Sequence, residues 1–331
     1  MSKEYIIPIF IPHGGCKKRC AFCNEYSATG IKEKPDTDDL EIIYKEYKGY
    51  FKKNKKPYIA FYGSTFTGLE NTIMEYYLEW ANSKYINKEI EGIRFSTSPE
   101  EITQEKINIL KKYPVNLVEI GVQSFYNDVL ALSNRSHNTE DIWNACVLMK
   151  NNGIEFGLHL MTGLPGSSYM KDINSALLLT FSGASYARIH PTVVLKNTLL
   201  EREKYIPETI EKSVKKTAVM KMILELNKIH VIRTGICLYG DEINNVVSGP
   251  YSESFGDLVN TFIYSEIIKT NEKNSLKFPK NKKGIVYGYK KKNCEIIKEY
   301  GVSFTDSEEI FLNNQKTHTE FFYPKIIEKY I

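Results

Sequence analysis

Short apolar runs of strand length recur along the chain and alternate with stretches of helical period. The runs that predict strands are residues 5–12, 57–62, 91–97, 115–122, 154–161, 184–191 and 231–238. Between them, apolar stripes at helical spacing predict amphipathic helices, and Leu40, Ile43, Tyr44 and Tyr47 form one such stripe. Strands that alternate with helices predict an α/β fold with a parallel sheet.

The first predicted strand contains Pro8, which has no backbone N–H to donate to a neighbouring strand. We therefore expect this strand to lie at the edge of its sheet. A closed barrel has no edges, whereas an open, partial barrel does. The pattern thus favours an open barrel over a closed one.

Four of the predicted strands carry apolar side chains on one face and polar side chains on the other. The polar faces contain Arg94, Ser96, Ser98, Glu119, Gln123, His159, Arg188 and His190. Buried polar groups are costly without partners, so this convergence predicts a polar lumen that holds a ligand near the carboxyl ends of the strands. The alternative is an internal salt-bridge network, for example Glu119 with Arg188.

The composition is that of a globular protein, because 42% of the 331 residues are hydrophobic and 25% are charged. Disordered and fibrous classes are excluded. The apolar run from Tyr5 to Pro12 is too short for a signal peptide or a membrane span, so we expect a cytoplasmic protein without membrane contact. A disulfide framework is unexpected in such a chain, and three of its six Cys lie within eight residues.

Cys16, Cys20 and Cys23 directly follow the first predicted strand with the spacing C-x3-C-x2-C. Three thiolates on one short loop are able to ligate three irons of a [4Fe–4S] cluster and leave the fourth open. An open iron can chelate S-adenosylmethionine, and an electron from the cluster then cleaves it to a 5′-deoxyadenosyl radical. Two alternatives stay open: a zinc site completed by His13, and chance clustering of buried Cys.

The cysteine spacing, with Phe22 just before the third Cys, resembles the signature of the radical S-adenosylmethionine superfamily. Further segments resemble the radical domain of the Elongator catalytic subunit and its short bacterial relatives: residues 61–68 (FYGSTFTG), 94–99 (RFSTSP), 119–124 (EIGVQS), 132–137 (LSNRSH), 161–166 (MTGLPG) and 188–192 (RIHPT). The resemblance covers residues 5–260. It implies a six-stranded (β/α) partial barrel, a [4Fe–4S] cluster and S-adenosylmethionine as cofactors.

This sequence departs from the family pattern at three places that bear on the substrate pocket. The glycine pair after the second strand is Gly63-Ser64, the second Arg of the third-strand motif is Ser98, and a Gly before His137 is Ser136. Too few residues follow position 260 for the acetyltransferase domain of the Elongator subunit. We predict an open (β/α)6 partial TIM barrel with a seventh strand over residues 1–260, and a small Lys-rich α/β extension over 261–331.

Roles follow for the lumen residues. Glu119 and Gln123 are candidates to bond the ribose hydroxyls, and Arg188 to hold the cofactor carboxylate in a bidentate way. By resemblance, the turn Gly63, Ser64 and Thr65 contacts the methionyl amino group, Phe22 packs near the adenine, and Ser96 adds to the cofactor site. The alternatives are a plain core aromatic for Phe22, an ordinary turn for residues 63–65 and a structural ion pair for Arg188.

Three residues are candidates for direct substrate contact: His159, His190 and Cys237. Arg135 and His137 are expected at the mouth of the barrel, with a structural role favoured for His137. The basic run Lys17, Lys18 and Arg19 suits either a solvated loop or the docking of an acidic, reducing electron carrier of the flavodoxin or ferredoxin type.

Residues 269–298 contain ten Lys and two Glu, with Tyr287 and Tyr289 among them. Such a segment is either an exposed, solvated face or a surface for RNA. The first hypothesis is therefore a radical enzyme that modifies RNA, with tRNA as the expected class. The second is a radical enzyme acting on a small molecule or peptide, of the anaerobic tetrapyrrole or natural-product type. The third is a zinc-containing RNA-binding module.

Overall fold

The computed structural model describes residues 4–51, 55–238, 240–270 and 275–331. The strands in this part of the chain are β1 (Ile6–Phe10), β2 (Tyr58–Tyr62), β3 (Gly92–Thr97), β4 (Val115–Gln123), β5 (Phe156–Thr162), β6 (Tyr186–Pro191), β7 (Val194–Leu195), β8 (His230–Thr234), β9 (Val246–Ser248), β10 (Leu276–Pro279), β11 (Ser303–Thr305), β12 (Ile310–Leu312) and β13 (Gln315–Thr317). The α-helices are α1 (Glu25–Thr29), α2 (Thr37–Gly49), α3 (Asn71–Ile86), α4 (Gln104–Leu110), α5 (Asn127–Leu132), α6 (Thr139–Asn151), α7 (Tyr169–Leu179), α8 (Leu199–Arg202), α9 (Ile210–Leu226), α10 (Phe255–Lys269), α11 (Lys283–Tyr287), α12 (Cys294–Glu299) and α13 (Tyr323–Tyr330).

Seven parallel strands form one curled sheet in the order β1-β2-β3-β4-β5-β6-β8. The sheet is an open half-barrel, which confirms the predicted fold class. Pro8 lies in β1, at one edge of the sheet, where its missing N–H breaks no ladder. Because all strands run the same way, their carboxyl ends meet at one end of the half-barrel, which we call the mouth.

The last strand of this sheet is shorter than predicted. The sequence pattern indicated a strand over 231–238, but β8 ends at Thr234. Gly235 adopts a φ of 89°, and a Cβ there would lie 2.8 Å from the Cβ of Phe255. This left-handed turn ends the extended backbone, so the alternation that placed Cys237 on the lumen side of a strand does not hold.

The two faces of the sheet divide as the alternation predicts. Val118, Ile120 and Phe95 are fully buried on the outer face, against the helices. Of the predicted helical stripe in α2, Leu40 and Tyr44 are buried in the same core. The opposite face carries the polar side chains, which therefore point into the lumen of the half-barrel.

Short segments close the open side of the mouth. Residues 240–245 follow β8 and pack against α1, which follows β1, so the two ends of the sheet are connected there. Asn245 Nδ2 donates a hydrogen bond of 3.0 Å to the carbonyl of Ser27. Next to this contact, β7 and β9 pair in an antiparallel ribbon. The mouth is therefore bordered by backbone even where the sheet has no strand.

The C-terminal residues form a small four-stranded sheet with the order β11-β10-β12-β13, together with α11, α12 and α13. Their core residues Leu276, Phe278 and Ile326 belong to the same hydrophobic cluster as the half-barrel. The predicted boundary between residues 260 and 261 falls inside α10 (Phe255–Lys269). The division into two domains stays a prediction.

Candidate active site at the mouth of the half-barrel

Residues 11–24, the cysteine loop, connect β1 to α1 and lie across the turn that follows β2. The N–H of His13 donates to the carbonyl of Gly63 at 2.8 Å, and the N–H of Thr65 donates to the carbonyl of Gly14 at 2.8 Å. These two bonds join the loop to the Gly63–Thr65 turn. The sequence-predicted cysteines and the sequence-predicted glycine turn are thus neighbours.

Glycines make this close approach possible. Gly15 has a φ of 70°, and a Cβ at this position would lie 2.3 Å from the carbonyl oxygen of Thr65. A Cβ on Gly68 would lie 2.4 Å from the carbonyl oxygen of Gly15. Neither position has room for a side chain, and only glycine adopts the φ of Gly15 without strain.

We expect Gly15→Ala to reduce both stability and iron loading. The added methyl group must displace backbone, and a non-glycine residue in this conformation costs about 1–3 kcal/mol. The measurements are the urea midpoint and the iron content after anaerobic reconstitution. Gly49→Ala is the matched control, because a Cβ there would meet nothing within 4 Å. Wild-type values for both quantities in Gly15→Ala would contradict this role.

Each cysteine thiol of the loop has a different neighbour. Cys16 Sγ lies 3.3 Å from Thr65 Oγ1, and Cys20 Sγ accepts a hydrogen bond of 2.8 Å from Arg135 Nη1. Cys23 Sγ donates to Glu25 Oε1 at 3.5 Å. Burial raises the pKa of the Cys23 thiol, and the charges of Glu25, Cys20 and Cys16 raise it further. The three thiols therefore lie close enough to repel one another as thiolates.

Glu25 belongs to this site, although no sequence motif indicated it. Its carboxylate lies beside the Gly63 turn, where a Cβ on Gly63 would be 2.9 Å from Oε2. Burial raises the pKa of Glu25, while the hydrogen bond from Cys23 acts in the opposite direction. The backbone N–H of Glu25 donates to His13 Nε2 at 3.4 Å, so His13 contacts α1 here.

Glu119 and Arg188 form the ion pair that the alternation left open as an alternative. Arg188 Nη2 donates to Glu119 Oε1 at 3.0 Å, and Arg188 Nε contacts the other carboxylate oxygen. Tyr62 Oη donates to the same Oε1 at 2.8 Å. Burial raises the pKa of Tyr62 above its usual range, and the neighbouring carboxylate of Glu119 adds to this. The phenol therefore stays protonated and acts as a donor.

Several buried polar atoms around this pair have no hydrogen-bond partner within the described residues. They are Ser64 Oγ, Gln123 Oε1, His159 Nε2 and His190 Nε2. Gln123 also adopts a φ of 66°, an uncommon conformation for a residue with a side chain. Ser96 Oγ donates to the carbonyl of Ser64 at 3.4 Å. Unpartnered buried polar atoms are rare in proteins, so this set is suited to a polar ligand.

His159 on β5 and His190 on β6 are in contact. Their ring centroids lie 4.1 Å apart in an edge-to-face arrangement. Burial, together with the charges of Arg188 and Arg135, lowers the pKa of His159 to about 3. Burial, His159, Arg188 and Arg233 lower the pKa of His190 as well. Both rings are therefore neutral at physiological pH, each with one nitrogen able to accept a hydrogen bond.

Cys237 lies past the end of β8. Its thiol contacts Arg233 Nη2, and it lines a cleft of about 340 Å³ between β8 and the start of α10. Phe22 is half-buried and packs with Ala21 on one side and with Val129 on the other. Contact of Phe22 with the adenine stays a prediction.

His137 is buried and satisfied, as the structural role requires. Its Nε2 lies 3.1 Å from the carbonyl oxygen of Val122, and its Nδ1 lies 3.5 Å from Glu100 Oε2. Arg135, two residues earlier, reaches the cysteine loop through Cys20. The motif around position 136 therefore contributes one structural residue and one residue of the mouth.

No helix in the described parts of the chain combines the length and the apolar composition needed to cross a membrane.

Comparisons with known proteins agree with this geometry. The profile of the radical SAM superfamily matches residues 10–177. The uncharacterized protein MJ0486 of Methanocaldococcus jannaschii is 31% identical over 216 residues, which are 60% of this chain and 64% of that protein. The tRNA uridine(34) acetyltransferase of Methanocaldococcus infernus is 29% identical over 171 residues, which are 49% of this chain and 31% of that protein.

Among solved structures, the archaeal Methanocaldococcus infernus Elp3 with an N-terminal deletion superimposes with a TM-score of 0.59. The sequence identity is 21%, over 80% of this chain and 63% of that one, so this likeness concerns the fold alone. The chain spans less than two thirds of the length of each of these three proteins.

Proposed function

Because this chain belongs to the radical SAM superfamily, we propose that it cleaves S-adenosylmethionine at its mouth and uses the resulting radical to modify an RNA nucleoside. Enzymes of this superfamily use a [4Fe–4S] cluster and S-adenosylmethionine. The observation that carries the proposal is that the three loop thiols and the unpartnered polar atoms of the lumen belong to one mouth. The RNA substrate is the part that needs separate support.

The thiols fit a four-iron cluster better than a single metal ion. Cys16, Cys20 and Cys23 are all free thiols, and they lie on one loop. His13 Nε2 accepts a hydrogen bond of 3.4 Å from the backbone N–H of Glu25, so this ring nitrogen is already engaged. Three thiolates on one loop are the usual ligands of an iron–sulfur cluster. These two observations favour the cluster over the zinc alternative with His13.

When bound, the cluster and S-adenosylmethionine supply one-electron cleavage of a carbon–sulfur bond and a carbon radical that abstracts hydrogen. The chain's own residues bind and orient. The turn Gly63, Ser64 and Thr65 would offer backbone groups and the free Ser64 hydroxyl to the methionyl end. Gln123 Oε1 is free to accept from a ribose hydroxyl. Glu119 and Arg188 already form an ion pair with each other. They would offer the cofactor those hydrogen-bonding groups that the ion pair leaves free.

Glu25 would accept a hydrogen bond from the cofactor's amino group. It lies beside the Gly63 turn and next to Cys23. A carboxylate removed from water is costly without hydrogen-bond donors, and within the described residues the Cys23 thiol is the side chain that donates to it. A bound amino group would supply a further donor.

Glu25→Gln is expected to weaken the binding of S-adenosylmethionine by about tenfold to a hundredfold, since a charged hydrogen bond contributes about 1.5–3 kcal/mol. The amide keeps the shape and a hydrogen-bond acceptor, so iron content should stay at the wild-type level. The measurement is a titration with the cofactor, in which binding is monitored through the electron paramagnetic resonance signal of the reduced cluster. Glu211→Gln, on an exposed position of α9, is the control. Unchanged affinity in Glu25→Gln would remove this assignment.

The RNA substrate is supported by similarity and by surface charge. One relative is named a tRNA uridine(34) acetyltransferase. On this chain, Lys290, Lys291 and Lys292 are consecutive and exposed. Contacts between lysine side chains and phosphate groups supply much of the affinity of proteins for RNA. Tyr289 is half-buried beneath Lys290, whose Nζ lies 5.4 Å from the ring centroid. Within the basic segment, residues 271–274 lie outside the described residues.

Tyr287 is less well placed for such a surface. Its ring stacks on Phe304 at a centroid distance of 5.6 Å and packs against the core. Stacking on a nucleobase needs a free ring face, and Phe304 covers one of the two faces of Tyr287. Tyr289 is therefore the stronger aromatic candidate of this segment.

An acidic electron carrier of the flavodoxin or ferredoxin type is the proposed reductant. Lys18 and Arg19 are exposed within the cysteine loop, so their charges border the cluster site. Lys17 is also exposed and forms an ion pair of 2.5 Å with Glu101. Long-range attraction to a negative partner speeds association and falls as salt rises.

The proposal is tested in two steps. First, the protein is reconstituted anaerobically and reduced with dithionite, and mass spectrometry measures 5′-deoxyadenosine, which we expect to form. Second, binding of unmodified tRNA is measured between about 50 mM and 200 mM salt, where affinity for a polyanion should fall steeply. Cofactor cleavage without salt-dependent tRNA binding would discard the RNA substrate and favour the small-molecule or peptide hypothesis. Zinc without iron and sulfide would discard the enzyme and leave the zinc RNA-binding module.

A further inference from the structure

Arg135 connects the cysteine loop to the strands beneath it. Its Nη1 donates to Cys20 Sγ at 2.8 Å. Its Nη2 donates to Ser98 Oγ at 2.9 Å and to the carbonyl of Gly121 at 2.6 Å. One planar guanidinium thus joins a predicted cluster ligand to residues at the carboxyl ends of β3 and β4.

The residues that hold Arg135 form a network around one carboxylate. Ser98 and Ser136 both donate to Glu100, and His137 Nδ1 lies 3.5 Å from it. Burial acts to raise the pKa of Glu100, but the contacts with His137, Ser136 and Ser98 outweigh it and hold this pKa well below its usual range. Glu100 is therefore a permanent anion that orients Ser98 to accept from Arg135.

Two of the departures from the family pattern meet in this network. Ser98 stands where the pattern has an Arg, and Ser136 stands where it has a Gly. The two serines bind Glu100, and Ser98 also accepts from Arg135, whose Nη1 donates to the Cys20 thiol. The departures are thus one connected arrangement rather than two unrelated changes.

We propose that Arg135, held in place by Ser98, Ser136 and Glu100, is a positioning residue that stabilises the reduced form of the cluster through Cys20. This inference rests on the proposed function, because it requires a cluster on the three thiols. Hydrogen bonds to cluster sulfurs and nearby charge set the reduction potential of iron–sulfur clusters. The reduced cluster carries one more negative charge than the oxidised one. A guanidinium donating to a ligand sulfur therefore favours reduction by one electron from the carrier.

The test is a redox titration of the reconstituted full chain, in which electron paramagnetic resonance measures the fraction of reduced cluster at each potential. We expect Arg135→Gln to shift the one-electron equilibrium towards the oxidised cluster by about tenfold, equivalent to about 59 mV. Ser98→Ala should shift it in the same direction by less. Because Ser98 acts through Arg135, Ser98→Ala should add nothing further in the Arg135→Gln background.

Arg19→Gln is the matched control. It removes the same positive charge at the residue before Cys20, but among the described contacts the Arg19 side chain makes none with a thiol. Its effect should be several-fold smaller, because exposed charge is screened. Equal shifts in Arg19→Gln and Arg135→Gln would reduce the role of Arg135 to general charge and overturn the inference.

Loss of the cluster in a variant does not end the test. If Arg135→Gln binds no iron, the potentials of Arg135→Lys and Ser98→Ala are measured instead, and wild-type potentials in both overturn the inference. Failure of the proposed function looks different, because the wild-type protein itself would then lack iron and sulfide. A wild-type cluster together with unshifted variants defeats only the role of Arg135.

Discussion

Replacing Cys20 by Ala is expected to abolish the cleavage of S-adenosylmethionine while the protein stays folded. Cys20 lies half-buried on the cysteine loop, outside the large hydrophobic cluster, and its thiol bonds only to Arg135 among the described partners. Loss of one of three thiolates leaves an iron without its ligand, so the cluster is lost or inactive. The fold, by contrast, loses one sulfur at the edge of the mouth.

The measurements for Cys20→Ala are 5′-deoxyadenosine formation, iron and sulfide content, and the urea midpoint. Cys294→Ala is the matched control: Cys294 is also a half-buried free thiol, but it lies on α12 in the C-terminal extension. It should keep full iron content and full cleavage. Cleavage by Cys20→Ala at the wild-type rate would show that this loop does not hold the cluster.

Lys216→Ala should have the largest effect on stability. Lys216 is 1% exposed on α9, and its Nζ lies 2.6 Å from Asp172 and 2.6 Å from Glu208. Removal of the cation leaves the buried carboxylate of Asp172 unpaired beside the half-buried carboxylate of Glu208, which costs about 3–5 kcal/mol. Asp172 also accepts from the N–H of Gly163 at 2.9 Å, so the turn of residues 163–166 should loosen as well.

This loss should depend on pH. Burial raises the pKa of Asp172 even with Lys216 in place. A raised folded-state pKa means that the native state binds more protons than the unfolded state, so this group's contribution to stability falls as the pH rises through that pKa. Without Lys216 the pKa rises further. The difference in stability between Lys216→Ala and the wild type should therefore be larger at pH 8 than at pH 5.

Urea unfolding at both pH values measures this difference. Lys212→Ala, on an exposed position of the same helix, is the control and should change stability by less than about 0.5 kcal/mol at either pH. If Lys216→Ala unfolds at the wild-type urea concentration, the buried triad contributes nothing net. If the loss is the same at both pH values, the unpaired carboxylates are not its cause.

The architecture could be predicted because its strands are buried on one face and polar on the other. In β4, the apolar residues Val118 and Ile120 lie on one side and Glu119 between them lies on the other, so the alternation of apolar and polar positions can be recognised in the sequence. The edge position of β1 followed from Pro8 alone. The end of β8 could not be predicted in the same way, because Gly235 turns the backbone only where Phe255 packs against it.

The site was predictable in part. Spacing singles out the three cysteines, since a cluster needs several thiolates on one loop, and their role as ligands stays a prediction. It does not identify Glu25, whose role depends on the approach of two loops that are distant in sequence. Nor does alternation identify partners: it places Glu119 and Arg188 on one face but leaves open whether they bind each other or a ligand. The structure shows them paired, and the role of each in cofactor binding stays a prediction.

The contact between α1 and residues 240–245 makes the two ends of the sheet depend on each other. Residues 240–245, which follow β8, pack against one side of α1, the helix that begins two residues after Cys23. A truncated chain that stops after β8 would keep all seven strands yet leave that flank bare to water and dioxygen. We therefore expect the access of water and dioxygen to the cysteine loop to depend partly on residues more than two hundred positions downstream of it.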